Sequence, residues 1–151
     1  MAHFNVLYVK ENISIEDLIK KYGSEKRVSE KLEKEFLDKY CDACGEYEPR
    51  IETLCDYAGS WGDVLEATKG IKSPFENTPG NKYQVVNVED MTDDELAKLE
   101  KRVYGFAVEE RKGKRAINNY YEDGDSSYFE YIKKLQNREI KGACIFIDCH
   151  Y

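Results

Sequence analysis

Two histidines are all this chain has, and they stand near its two ends. His3 lies in Ala2-His3-Phe4-Asn5-Val6-Leu7-Tyr8-Val9, and His150 in Gly142-Ala143-Cys144-Ile145-Phe146-Ile147-Asp148-Cys149-His150-Tyr151. Both stretches are apolar and β-branched, and both read as strands. Strand side chains alternate with a period of two, so Asp148 and His150 share a face. If the terminal strands pair, His3 reaches that face too. Imidazole beside carboxylate suits general acid–base work or a metal ion. Two histidines with one carboxylate also match the ligand set of a facial triad. His3, Asp148 and His150 are therefore the candidate catalytic residues, with Cys149 beside them. The competing reading has these strand-end polar groups bonding loop backbone.

A second constellation is Cys41-Asp42-Ala43-Cys44-Gly45, with Cys55 further on. Thiolates at Cys-x-x-Cys spacing converge on one tetrahedral zinc ion. Cys41, Cys44 and Cys55 are the candidate metal ligands, and a fourth would come from Asp56, Cys144, Cys149 or His150. Because the ligand set is incomplete no cofactor is expected, and zinc is the one this spacing would allow. Two other readings compete: a redox pair, although the strand that precedes such a pair in thioredoxin-like units is missing, and plain thiols at a helix end. A third constellation is aromatic. Ala58-Gly59-Ser60-Trp61-Gly62 lets backbone approach a ring closely, and Tyr57, Trp61, Tyr120 and Tyr121 are candidates for stacking a base. Tyr83, Tyr128 and Tyr131 belong to the same group. The alternative is that these large rings are simply core. No Walker A, G-x-G-x-x-G, G-x-S-x-G or H-E-x-x-H pattern occurs, which favours binding over catalysis.

Composition narrows the classes. The chain has 151 residues, enough for one domain with a real core. With 30 acidic against 23 basic residues its net charge is −7, the wrong sign for general nucleic-acid binding. No apolar run approaches the ~20 residues that span a bilayer, so no membrane role is expected. Five cysteines, an odd number, do not force a disulfide framework. The start of the chain carries no basic leader, and a reducing cytosol is the expected setting.

The elements that must position these residues follow from patterning. Residues 3–9 form a strand. Ser14 caps a short helix to Tyr22, ended by Gly23. Ser24 caps a second helix whose Val28, Leu32, Phe36 and Tyr40 recur every fourth residue, with Leu37 widening the stripe. Residues 41–81 are read as an irregular insert, in which 51–68 fit either a helix or a bent strand. Residues 83–88 form a strand. Thr92 and Glu95 make a capping box opening a helix to about Arg102. A hairpin follows, with strands 104–109 and 116–121 around Arg111-Lys112-Gly113-Lys114. Ser126 or Asp125 caps a helix to about Gln136, burying Phe129, Ile132 and Leu135, and Gly142 leads into the last strand. The expected fold is α+β: a single domain over 1–151, with about five mainly antiparallel strands, the terminal pair adjacent and central, and about four helices packed on the sheet.

The order of the short motifs resembles a family of small, mostly uncharacterised bacteriophage proteins. These begin Met-Ala-His-Phe, carry a Gly-Gly-Arg-Trp stretch, then an Asp-Ile/Val-Asp-Phe segment, and finish Val-Asp-Cys-His plus an apolar residue. The matching residues here are Met1-Ala2-His3-Phe4, Gly59-Ser60-Trp61, Val86-Asn87-Val88-Glu89-Asp90-Met91, Tyr104-Gly105-Phe106-Ala107-Val108 and Ile147-Asp148-Cys149-His150-Tyr151. Ser60 stands where the family has its arginine, so a role resting on that arginine does not carry over. The resemblance implies a phage origin and a host bacterial cytoplasm. It points to a counter-defence binding protein that sequesters a nucleotide signal or inhibits a host defence protein. The alternative is a metal-assisted hydrolase or phosphodiesterase using His3, Asp148 and His150. Self-association into a homo-oligomer is compatible with either.

Overall fold

The computed structural model describes residues 3–40, 56–60, 85–118 and 127–150; the side chains of residues 3, 4, 37, 56–60, 102, 118 and 148–150 are not among those described. Strand β1 (His3–Glu11) and strand β6 (Gly142–His150) pair antiparallel along their whole lengths, from Glu11 opposite Gly142 to His3 opposite His150. The other strands are β2 (Asp56–Ser60), β3 (Val85–Asn87), β4 (Gly105–Glu110) and β5 (Gly113–Asn118). Their order is β2–β6–β1–β4–β5, with β3 pairing β6 further along the edge that β2 also uses. The terminal strands are thus adjacent and interior. The sheet is mixed rather than uniformly antiparallel, because β1 and β4 run parallel. That pairing needs a long crossover, which the chain between Asn12 and Tyr104 supplies.

Helices cover both faces. Val6 to Val9 and Ala143 to Ile147 are all fully buried. Such unbroken burial is what a strand covered on both sides shows, whereas a half-exposed strand alternates. On one face lie α1 (Ile15–Tyr22) and α2 (Glu25–Tyr40). The Tyr8 ring meets Phe36 at 6.3 Å and Tyr40 at 5.6 Å between centroids. On the other face lie α3 (Asp93–Ala97), α4 (Leu99–Arg102) and α5 (Ser127–Gln136). There Phe106 sits 5.5 Å from Tyr128 and 5.0 Å from Tyr131. Each fully buried ring or branched chain contributes about 1.5–3 kcal/mol of transfer free energy.

Local signals explain most element ends. The Ser14 side chain accepts from the Asp17 amide at 3.1 Å, and the Ser24 side chain from the Arg27 amide at 3.2 Å. Gly23 ends α1 at φ 104°, a left-handed cap that glycine adopts without strain. The Thr92–Glu95 capping box is complete in both directions. The helix it opens breaks at Lys98 instead of running on to Arg102. The return strand starts earlier than expected, at Gly113, because the turn is only Arg111-Lys112 and Glu110 pairs with Gly113. In α5 the buried side is Tyr128, Tyr131, Ile132 and Leu135, with Phe129 only partly covered. The span expected to be irregular contributes β2 to the sheet.

Candidate functional site

Register places the candidate residues. Gly142 stands at φ 148°, and a Cβ there would lie 2.1 Å from the Lys10 carbonyl oxygen. Only glycine lets the start of β6 pass so close to the end of β1. Around it the Asn12 amide donates to the Lys141 carbonyl at 2.8 Å and the Ala143 amide to the Ile13 carbonyl at 2.7 Å. The Gly142 amide donates to the Glu89 carboxylate at 3.1 Å. This corner fixes the ladder, and a one-residue slip would put every buried side chain on the wrong face. Eight residues later, roughly 27 Å along the strand, the same register sets His150 opposite His3 and Asp148 opposite Asn5.

The outer side of β6 adds a residue that the sequence reading placed elsewhere. Asp56 of β2 is the register partner of His150, and Tyr57 is the partner of Cys149. His3, His150 and Asp56 therefore occupy one cross-strand row on β1, β6 and β2. A register shift between Tyr57 and Ser60 follows at once. In the sequence Asp56 stands beside Cys55 and reads as a spare zinc ligand; nothing local marks it as a neighbour of His150.

The other candidates are quickly placed. Cys41, Cys44, Cys55, Trp61, Tyr120 and Tyr121 lie outside the described residues, and of Tyr57 only the backbone position is described. Cys144 is fully buried in mid-strand, between Val9 and Val86 in register, and burial pushes its thiol well above its ordinary pKa. Tyr128 and Tyr131 are core. The Tyr128 hydroxyl donates to the Val103 carbonyl, and burial first, then the nearby Glu100 charge, raises its pKa to about 12. Tyr131 lies within 3.4 Å of a Glu11 carboxylate oxygen. Among the described side chains no group of three or more His, Cys, Asp or Glu is arranged to hold a metal ion.

Near the opposite end of the same ladder is a network the sequence did not announce. The Tyr8 hydroxyl lies 2.6 Å from Glu109 Oε2 and 3.0 Å from Glu35 Oε2. Lys10 Nζ lies 2.9 Å from Glu35 and 3.6 Å from Glu109, and Lys39 also pairs with Glu109. Burial works against the ionised form of Glu109. Hydrogen bonds from Lys39 and Tyr8, with the charge of Lys10, outweigh it and hold the carboxyl below its ordinary pKa. Burial, the Glu109 hydrogen bond and the two carboxylate charges hold the Tyr8 phenol far above its own. A cleft of about 550 Å³ opens beside this network, lined by Lys10, Ile13, Lys39, Glu109, Arg111 and Lys114 among others. Its inner charges already neutralise one another, so the network fastens α2 to β1 and β4.

A further joint holds α1. The Ile15 amide donates to the buried Asn87 side-chain oxygen at 2.8 Å, and Asn87 Nδ2 donates to Glu16 at 3.1 Å. This bond satisfies one of the amides a helix start leaves open. Compared with protein-family models, with curated proteins and with solved structures, the chain has no significant match.

Proposed function

We propose that this chain is a phage-type counter-defence binding protein that acts in the host bacterial cytoplasm and takes its ligand at the His3/His150 end of the sheet. The observation that carries this reading is the pairing of the chain's only two histidines as register partners. Their separation in sequence gives no local reason for that meeting. The motif resemblance supplies the phage context, and the missing catalytic signatures favour binding. The aromatic residue types near this end, with Tyr57 one register step from the row, are what favours a nucleotide signal as the ligand. Calorimetry of the full chain against cyclic and linear oligonucleotides tests this. Micromolar or tighter binding to one of them, lost in His150→Ala, is the expected result. Binding to a defence effector protein instead would make the chain a protein inhibitor. No binding to either class would remove the reading.

The same pairing also favours a second reading, a metal-assisted phosphodiesterase using His3, Asp148 and His150. Turnover of an activated phosphodiester that needs added metal and disappears in His150→Ala would move the conclusion there.

A further inference from the structure

We propose that the sheet end is a divalent-cation site, where the register sets two histidine positions, His3 and His150, and one aspartate position, Asp56, side by side on three neighbouring strands. This rests on reading that end as the functional site, and it names the ion and the carboxylate. The argument is one of placement. His150 is the register partner of His3 on one side and of Asp56 on the other. Register partners in an antiparallel ladder have Cα atoms roughly 4.5–5.5 Å apart. Asp148 is on the same strand as His150 but two residues back, about 6.8 Å along it. Its own partner is Asn5. Among the described residues of the three strands, Asp56 is therefore the carboxylate-bearing position nearest His150.

Chemistry selects the class of ion. Calcium and magnesium want oxygen-rich shells with several carboxylates. Two imidazoles and one carboxylate suit a first-row transition ion such as Zn²⁺, Co²⁺, Mn²⁺ or Fe²⁺. A net charge of −7 draws cations toward the protein. Three strands of one sheet give a stiffer platform than loops, and the register of two of them, β1 and β6, is fixed at Gly142. A register shift follows directly after Asp56–Tyr57. Such an ion would also tie the short strand β2 to β6, so it should stabilise the fold by mass action.

The test is a cobalt titration of the chelator-stripped full chain, read by visible absorption. The expected result is one equivalent of Co²⁺ with d–d bands and a thermal midpoint that rises on loading. His3→Ala and His150→Ala should lose the bands. Asp56→Asn should bind more weakly by more than the ~10–100-fold typical of losing an outer-shell partner, Asp56→Glu should regain much of that loss, and Asp148→Asn should stay near the parent. Should Asp56→Asn not fold, Asp56→Ser replaces it, with circular dichroism of the stripped protein as the control. If Asp148→Asn loses the ion while Asp56→Asn keeps it, the assignment of Asp56 is wrong and the sheet-end reading stands. If the parent binds no cobalt, the cation site is overturned, while nucleotide calorimetry still decides the binding function separately.

Discussion

The two ends of the β1–β6 ladder are built for different jobs. At the Glu11/Gly142 end backbone passes so close that only glycine fits, and the charges of Lys10, Glu35, Lys39 and Glu109 are bound to one another. At the His3/His150 end the residue types that do chemistry are aligned across three strands. One end holds the register and the other is positioned by it. The comparison teaches that residues can be aligned across strands while the close backbone contact at Gly142 lies roughly 27 Å away along the strand.

Breaking the holding end should have the largest effect. Gly142→Val combines overpacking against the Lys10 carbonyl, about 1–3 kcal/mol, with a strained positive φ, a further ~1–3 kcal/mol. Urea unfolding should show a loss of about 3 kcal/mol, and ligand binding at the far end should fall as the ladder shifts. A parent-like midpoint would mean that this corner does not set the register.

Glu109→Gln should come next. It removes the carboxylate charge and leaves only one acceptor oxygen where Tyr8, Lys39 and Lys10 share two, and should cost about 1–3 kcal/mol, reduced by the partial exposure of the network. It also carries a pH signature. The Glu109 carboxyl titrates below its ordinary 4.5 in the folded chain. Its contribution is therefore present above pH 4.5 and is lost as pH falls through the lower folded value. The parent should lose stability toward acid faster than Glu109→Gln, so the gap between their unfolding curves should narrow below pH 4.5. A constant gap would show that the charge of Glu109 is not what holds this end.

The smallest effect is expected where the chemistry is proposed. His3→Ala and His150→Ala change the ends of strands, where chains fray, and each should shift unfolding by less than about 1 kcal/mol in the absence of ligand. A loss as large as that of Glu109→Gln would make the histidines structural and dissolve the contrast between the ends.

Much of the scaffold could be read locally. Ser14, Ser24 and Thr92 cap helices because a side-chain oxygen three residues before an open amide satisfies it whatever the rest of the chain does. Val28, Leu32, Phe36 and Tyr40 are buried as their spacing demands. The pairing of the two apolar termini could be read as well, since uncharged β-branched runs avoid open edges. Tyr128 and Tyr131 could be read two ways, because a tyrosine offers the same ring to a base or to a core. In the fold Phe106 claimed them. The parallel β1–β4 pairing and the Tyr8 network escaped for another reason. Tyr8, Glu35 and Glu109 are far apart in the chain, and no short-range pattern couples them.

The amino-acid order by itself determined where the capped helices begin, which strands are buried, and that both imidazoles ride on strands able to meet. Those are short-range matters of capping, periodicity and β-propensity. Only the tertiary structure decided that Asp56 lies beside His150 and that helices cover both faces of the sheet. Strand neighbours are chosen by the burial of the whole sheet, and a choice made over long chain separations leaves no mark in local sequence.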